Sequence, residues 1–292
     1  MQAAQELLKT LYTMAMMVEA RDAYTGGHLW RVSRFSGLLA QALGLERREV
    51  LRIMLGGFLH DLGKVGVPDA ILNKRDRLSD EEYAVIKTHP QVGADLLREH
   101  PLAALAMEAV LMHHETPDGK GYPAGLSAGD IPLVARIVGV ADAFDAMTSS
   151  RPYRAGMPIE RALQIIHENR GSQFDAQCAE QLIVLGERGE LAHIVGHSEN
   201  GIPLQSCLAC GPIIAIPRSL PHAGYLYCPS CGGEYQLNRL QQILSLTATG
   251  QRNLVRGQRP TVDHDLVAEL VAEASACLSV AQQGHWFRRL FA

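Results

Sequence analysis

From Leu7 to about Glu190, apolar residues recur three and four positions apart. Short turns marked by Gly and Pro separate these segments, at Gly26-Gly27, Gly66-Val67-Pro68, Pro90, Pro101, Gly119 to Gly125 and Pro152. That period lines one face of successive α-helices with apolar side chains, so residues 7–190 are expected to form one all-helical domain. A looser stretch follows over 191–204, with Gly196, Ser198, Asn200, Gly201 and Pro203, and reads as a linker. Residues 205–236 carry two cysteine pairs and two β-prone runs, Ile213 to Ile216 and Tyr225 to Tyr227. Beyond a second loose piece with Arg252, Arg256 and Arg259 lies a C-terminal helical tail, 261–292. Leu266, Leu270, Val271, Cys277 and Leu278 give it one apolar face and predict a helix from Asp263 to Gln282. The expected class is mainly α, with a small β module and a C-terminal helix.

The composition agrees with this class. The 292 residues are 47% apolar and 20% charged, a globular balance rather than a disordered or fibrous one. Aromatics are only 5% while Ala and Leu abound, which argues against an all-β fold. No run approaches the roughly 20 apolar residues of a membrane-spanning helix. Met1 to Val18 has an apolar centre without a basic leader or cleavage pattern, so a cytoplasmic protein is expected. The net charge of −4 argues against general nucleic-acid binding and leaves room for a small anion held by local positive charge.

His and Asp residues at helix ends carry the chemistry. His60 and Asp61 are adjacent within Gly57-Phe58-Leu59-His60-Asp61-Leu62-Gly63-Lys64. Such dipeptides arise by chance, and the neighbours give this one its meaning. Lys64 lies one helical turn beyond His60. His28, His89 and His113-His114 sit at turn boundaries, and Asp142 is set into the apolar run Ile137 to Asp145. A buried carboxylate needs a partner, and a metal ion suffices. Five histidines and two aspartates from five segments are too many for one metal and suit two. Imidazole and carboxylate without thiolate favour iron or manganese, with zinc, cobalt and nickel also compatible.

His60-Asp61-Leu62-Gly63-Lys64 resembles the signature of HD-superfamily phosphohydrolases. The eleven-residue run His113-His114-Glu115-Thr116-Pro117-Asp118-Gly119-Lys120-Gly121-Tyr122-Pro123 resembles the extended signature of the HD-GYP subfamily. The likeness spans Val18 to Gly186 and includes Arg21-Asp22, Thr25, Asp142 to Thr148 and Arg151-Pro152-Tyr153-Arg154. It implies an HD/PDEase-like helical domain that hydrolyses cyclic di-GMP at a metal centre. Carried over residue by residue, it makes His28, His60, Asp61, His89, His113, His114 and Asp142 the metal ligands, with Asp61 as the bridge. It makes Asp61 and Lys64 catalytic and sets Lys64 on the substrate phosphate. Asp145, one turn after Asp142, becomes a proton carrier or a support behind the ligands. Arg151 and Arg154 would contact the guanine and phosphate end. Three roles are open to the loop holding Tyr122: lining the substrate entrance, meeting a partner such as a diguanylate cyclase domain or another signalling protein, or fixing the two histidines before it. Members with three metals carry a glutamate where this chain has Tyr24, so two metals are expected.

Two divalent ions with two aspartates leave a charge of roughly +2, which attracts a phosphodiester and makes hydroxide available near neutral pH. The expected product is linear pGpG, with GMP as the alternative end point. Rival readings are a related substrate such as cyclic GMP-AMP, or a non-catalytic receptor or adaptor for cyclic di-GMP. The likeness begins within about 20 residues of Met1, so no sensor or receiver domain is expected ahead of it.

Cys207, Cys210, Cys228 and Cys231 form two Cys-x-x-Cys pairs 17 residues apart, which predicts a closed structural zinc site in a zinc-ribbon-like module. That module has few basic residues, so a structural or protein-contact role is expected over nucleic-acid binding. The end, His285-Trp286-Phe287-Arg288-Arg289-Leu290-Phe291, suits packing on its own helices, on a homodimer mate or on a membrane surface.

Overall fold

Leu8, Leu11, Tyr12, Ala15 and Val18 place one apolar stripe of helix α1 (Gln2–Glu19) in the core. The same three-and-four spacing buries α2 (His28–Ala42), α3 (Arg47–Leu59) and α8 (Leu133–Thr148) against one another. The computed structural model describes residues 2–22, 26–74, 76–150, 155–210, 213–218, 220–240, 243–259 and 262–278. Phe58 meets Tyr12 edge-on at 5.0 Å, and Phe35 meets Phe144 in the same way at 5.0 Å. Burying each such ring contributes about 1.5–3 kcal/mol.

Shorter helices complete the domain: α4 (Asp69–Leu72), α5 (Asp80–Ile86), α6 (His89–Leu97), α7 (Met107–Met112), α9 (Ile159–Glu168) and α10 (Ala176–Glu187). A 3₁₀ turn, Leu62–Gly66, follows α3. Local signals set several boundaries. Ser79 and Glu82 form a reciprocal cap on α5, and the Asp175 carboxylate accepts from the Cys178 N–H at the start of α10. Gly63 lets α6 come close to the 3₁₀ turn, because a Cβ there would stand 1.8 Å from the His89 carbonyl oxygen.

The region expected to be a linker is ordered differently. His197–Glu199 (β1) pairs antiparallel with Ile202–Pro203 (β2), and Ser198 and Glu199 are buried. Their small and polar side chains carry no apolar alternation, which is why they read as loop. Gln205–Ser206 (β3) pairs with Ile213–Ile214 (β4), and Tyr225–Tyr227 (β5), Gly233–Leu240 (β6) and Ile243–Arg252 (β7) form an antiparallel sheet in that order. The cysteine module therefore continues past residue 236 to Arg252, through a stretch that had read as loose. There Leu237, Leu244 and Leu246 alternate with polar residues and pack on a second, small core of Cys207, Ile214, Ile216, Leu226, Cys228 and Tyr235.

After α11 (Leu254–Gly257), helix α12 (His264–Leu278) returns to the helical domain rather than trailing from it. Leu266, Val267, Leu270 and Ala274 join the main core against α1 and α3. The rest of the expected tail, including Trp286 and Arg288, lies outside the described residues. Among the described residues, no helix is long and apolar enough to cross a membrane.

Candidate metal centre

Five separate elements deliver side chains to one point. His28 opens α2, His60 and Asp61 join α3 to the 3₁₀ turn, His89 opens α6, His113 and His114 close α7, and Asp142 projects from the middle of α8. His28, His60, Asp61, His89 and His113 are buried, with His114 and Asp142 half-buried. The Oδ2 atom of Asp61 lies 3.4 Å from His28 Nε2 and 3.3 Å from His60 Nε2, while its Oδ1 lies 3.5 Å from His89 Nε2. Asp142 Oδ1 stands 3.4 Å from His28 Nε2, and His89 Nε2 stands 3.2 Å from His113 Nε2. Ligand atoms of His89, His113 and His114 form one group within 4.8 Å of one another, and those of His28, His60 and Asp142 form another.

The rings are oriented from behind. Nδ1 of His60 faces the Gly57 carbonyl at 2.7 Å, that of His89 faces Ile86 at 2.8 Å and that of His113 faces Ala109 at 2.9 Å. A carbonyl only accepts, so each Nδ1 carries the hydrogen and each Nε2 turns its lone pair to the centre. His28 Nδ1 meets the Asp145 carboxylate at 2.7 Å instead. The buried Nε2 of His60 has no hydrogen-bond partner. An orphaned imidazole nitrogen between two carboxylates fits a divalent cation.

The charges agree with this. Burial opposes ionisation of Asp61, yet Lys64 and His60 hold its carboxyl far below the usual range, and His60 and His28 do the same for Asp142. Burial disfavours imidazolium at His60, but Asp61 and Asp142 outweigh it and raise the pKa to about 10. At His28, Asp145 and Asp61 likewise overcome burial and raise it. Burial lowers His89, His113 and His114, the last to about 4, and so keeps these three rings neutral. Two ionised acids demand positive charge, and metal ions would take the place of the imidazolium protons.

Lys64 Nζ touches Asp61 Oδ2 at 2.7 Å; despite burial, Asp61 holds it firmly as an ammonium. Asp145 does not face the centre. It lies behind His28 and is gripped by Arg31, with His28 and Arg31 overcoming burial to lower its carboxyl to about 2. The Tyr122 ring stacks on His114 at 4.6 Å, and the Glu115 carboxylate accepts from the Ala124 and Leu126 N–H groups to shape that loop. Arg151, Arg154, Tyr24 and Thr25 lie outside the described residues.

Beside His113, His114 and Asp142 opens a cavity of about 500 Å³ that Tyr83, Lys87, Lys120, Tyr122 and Arg136 also line. Lys87 Nζ sits 5.5 Å from the Tyr83 ring centre and 5.8 Å from that of Tyr122. Sequence reasoning missed Lys87, Arg136 and Arg31. Lys87 stands two residues before His89 and Arg31 one helical turn after His28, so proximity to the candidate ligands was the available signal.

The four cysteines gather separately. Sγ separations are 3.5 Å for Cys207–Cys210 and 3.6 Å for both Cys210–Cys228 and Cys207–Cys231. Sulfurs around a tetrahedral zinc stand about 3.8 Å apart, against about 2 Å in a disulfide. Burial works against ionisation at Cys207, but the Tyr235 hydroxyl at 3.0 Å and nearby backbone N–H groups draw its thiol down to about 6.

Residues 12–178 match the HD domain family. The chain is 42% identical over 190 residues to the cyclic di-GMP phosphodiesterase response regulator RpfG of Xanthomonas campestris pv. campestris, covering 64% of this chain and 50% of that protein. It is 39% identical over 181 residues to a cyclic di-GMP phosphodiesterase of Thermotoga maritima, covering 61% and 49%. It is 39% identical over 163 residues to the 3′3′-cGAMP-specific phosphodiesterase 3 of Vibrio cholerae serotype O1, covering 56% and 35%. The chain spans about half the length of the first two relatives and less of the third. With the family match covering more than half of its residues, and with the buried histidine and aspartate cluster inside that match, this chain belongs to the HD domain family.

Proposed function

We propose that this chain is a metal-dependent phosphodiesterase that opens cyclic di-GMP to linear pGpG. One observation carries the reading: Asp61 turns one carboxylate oxygen toward His28 and His60 and the other toward His89, beside an open cavity whose lining includes Lys87, Lys120 and Arg136. A carboxylate placed this way would be shared by two cations. His28, His60 and Asp142 would hold one and His89, His113 and His114 the other, with iron or manganese favoured by the nitrogen and oxygen donors. When bound, the two cations supply Lewis acidity toward the phosphodiester and lower the pKa of water.

The chain's own groups do the rest. Lys64, held as an ammonium, donates to a non-bridging phosphate oxygen and takes up the negative charge that grows there. Lys87, Lys120 and Arg136 offer positive charge to the second phosphate of a cyclic dinucleotide. Tyr122 packs on His114, which fixes that ring and gives a flat edge to the substrate cavity. Arg151 and Arg154 serve the guanine and phosphate end. Asp145 is a positioning residue rather than a proton carrier, since its oxygens are taken up by His28 and Arg31. The catalytic unit is assigned to 7–190, with Cys207, Cys210, Cys228 and Cys231 holding a structural zinc.

The similarity to a 3′3′-cGAMP-specific enzyme supports a second substrate, cyclic GMP-AMP. Anaerobically prepared protein loaded with Mn²⁺ or Fe²⁺ and given each cyclic dinucleotide separates the two readings, with products resolved by chromatography. Accumulation of pGpG from cyclic di-GMP is the expected result. Turnover of cyclic GMP-AMP alone would transfer the assignment to that substrate, and tight binding without turnover would make the chain a receptor.

A further inference from the structure

Arg31 is one of the largest fully buried side chains, 1% exposed, and its whole guanidinium is used. Nε donates to Asp145 Oδ1, and Nη2 donates to Asp145 Oδ2 at 3.0 Å and to Ser149 Oγ at 3.1 Å. Nη1 donates to two main-chain carbonyls, Gly26 at 3.0 Å and His197 at 2.9 Å. The same Asp145 carboxylate meets His28 Nδ1 at 2.7 Å. A planar fork with five fixed donors satisfies such a set, and a lysine does not.

The His197 carbonyl belongs to β1, which lies beyond residue 178, where the family match ends. A second contact joins β1 to the same place. Gly27, with φ of +72°, lies so close to β1 that a Cβ on it would stand 2.5 Å from Ser198 Cα. His28 follows directly. On its other side β1 carries Glu199, which pairs with Arg218 from the strand module.

We infer that Arg31 is a positioning residue that makes β1, a strand outside the HD domain match, part of the support for the metal ligand His28. Arg31 fixes Asp145, Asp145 fixes the His28 ring, and the His197 carbonyl fixes Arg31. Metal retention and the order of β1 are then coupled, and the coupling acts in both directions.

The inference rests on the reading of His28 as a metal ligand, and the experiment separates the two. Metal-free protein is titrated with Mn²⁺, with free Mn²⁺ followed by electron paramagnetic resonance. Amide hydrogen exchange is measured on the same samples with and without Mn²⁺. Arg31→Met is expected to weaken one class of Mn²⁺ site by about 10–100-fold, the range for losing a group that orients a metal ligand. Arg31→Lys, which keeps the charge, should fall between Arg31→Met and the wild type. Mn²⁺ should slow exchange across residues 197–203 in the wild type and no longer do so in Arg31→Met, with the β6–β7 hairpin unchanged in both. Should Arg31→Met fail to fold by circular dichroism, Arg31→Lys supplies both readouts. Wild-type affinity in the variants, or protection of 197–203 that persists in them, would overturn the inference. A wild-type chain that binds no Mn²⁺ would overturn the metal reading itself, and the inference with it.

Discussion

The histidine and aspartate centre and the cysteine cluster each gather ligands around a point, and they do so by opposite means. The first draws seven side chains from five elements spread between His28 and Asp142, fixes the His28, His60, His89 and His113 rings from behind, and opens on a cavity of about 500 Å³. The second takes four thiols from two short pairs, closes them on one another, and has a core of seven buried residues among those described. Helices packed through a large core can hold ligands in place before a metal arrives. A module with so small a core would depend on a bound ion to fold. Preorganisation with an open side belongs to catalysis, and closure belongs to structure.

Removing both metals is the strongest way to break this comparison. Structural zinc contributes on the order of 10 kcal/mol to small folds that need it. A strong chelator, or Cys228→Ser, should therefore unfold 205–252, seen as rapid proteolysis and fast amide exchange in β5 to β7, while the helical signal in circular dichroism persists. Collapse of the helices together with the sheet would show that the two regions share one stability. Asp61→Ala should reduce turnover by more than about 10³-fold, beyond what loss of one charge-stabilising donor costs, with the helical fold intact. Lys64→Met removes one such donor and should cost about 10²–10³-fold in kcat, with Mn²⁺ stoichiometry unchanged by elemental analysis. An effect on KM alone would reassign Lys64 to ground-state binding.

The two regions also differed in how far the sequence revealed them. The helical class and the seven candidate ligands that the fold brings together were legible because His60-Asp61 and the run from His113 to Pro123 are specific, and because an aspartate inside Ile137 to Phe144 needs a partner. The four cysteines were legible from spacing alone. What supports the ligands was not. Arg31 gives no signal in the sequence apart from its distance of one turn from His28, since its partners Asp145 and the His197 carbonyl are set by tertiary packing. The strand His197–Glu199 is built from small and polar residues and read as a linker. β7 was missed because Leu244 and Leu246 find a core to face only against a β6 that already exists. The return of α12 to the core was hidden in the same way, since one apolar face does not say which surface covers it.

A smaller effect tests the seam between the two regions. Glu199 on β1 is 2% exposed, and Arg218, Asp263 and Glu269 face it. Burial drives its pKa up to about 7, against the pull of Arg218, with Asp263 and Glu269 adding to the rise. The folded state therefore prefers the protonated acid, while the unfolded chain ionises near the ordinary value of 4.5. Stability from this group is complete below pH 4.5, declines as the pH rises from 4.5 to 7, and levels off above that. Glu199→Gln keeps the shape and removes the ionisation. Urea unfolding at pH 5 and pH 8 should show the wild type losing more stability between the two than Glu199→Gln does. A pH dependence that survives the substitution unchanged would move the titrating group elsewhere. If the β1 amides lose protection, measured against their intrinsic exchange rates, between pH 5 and pH 8 in the wild type alone, then the seam loosens where Glu199 ionises, on the strand that ends the path to His28.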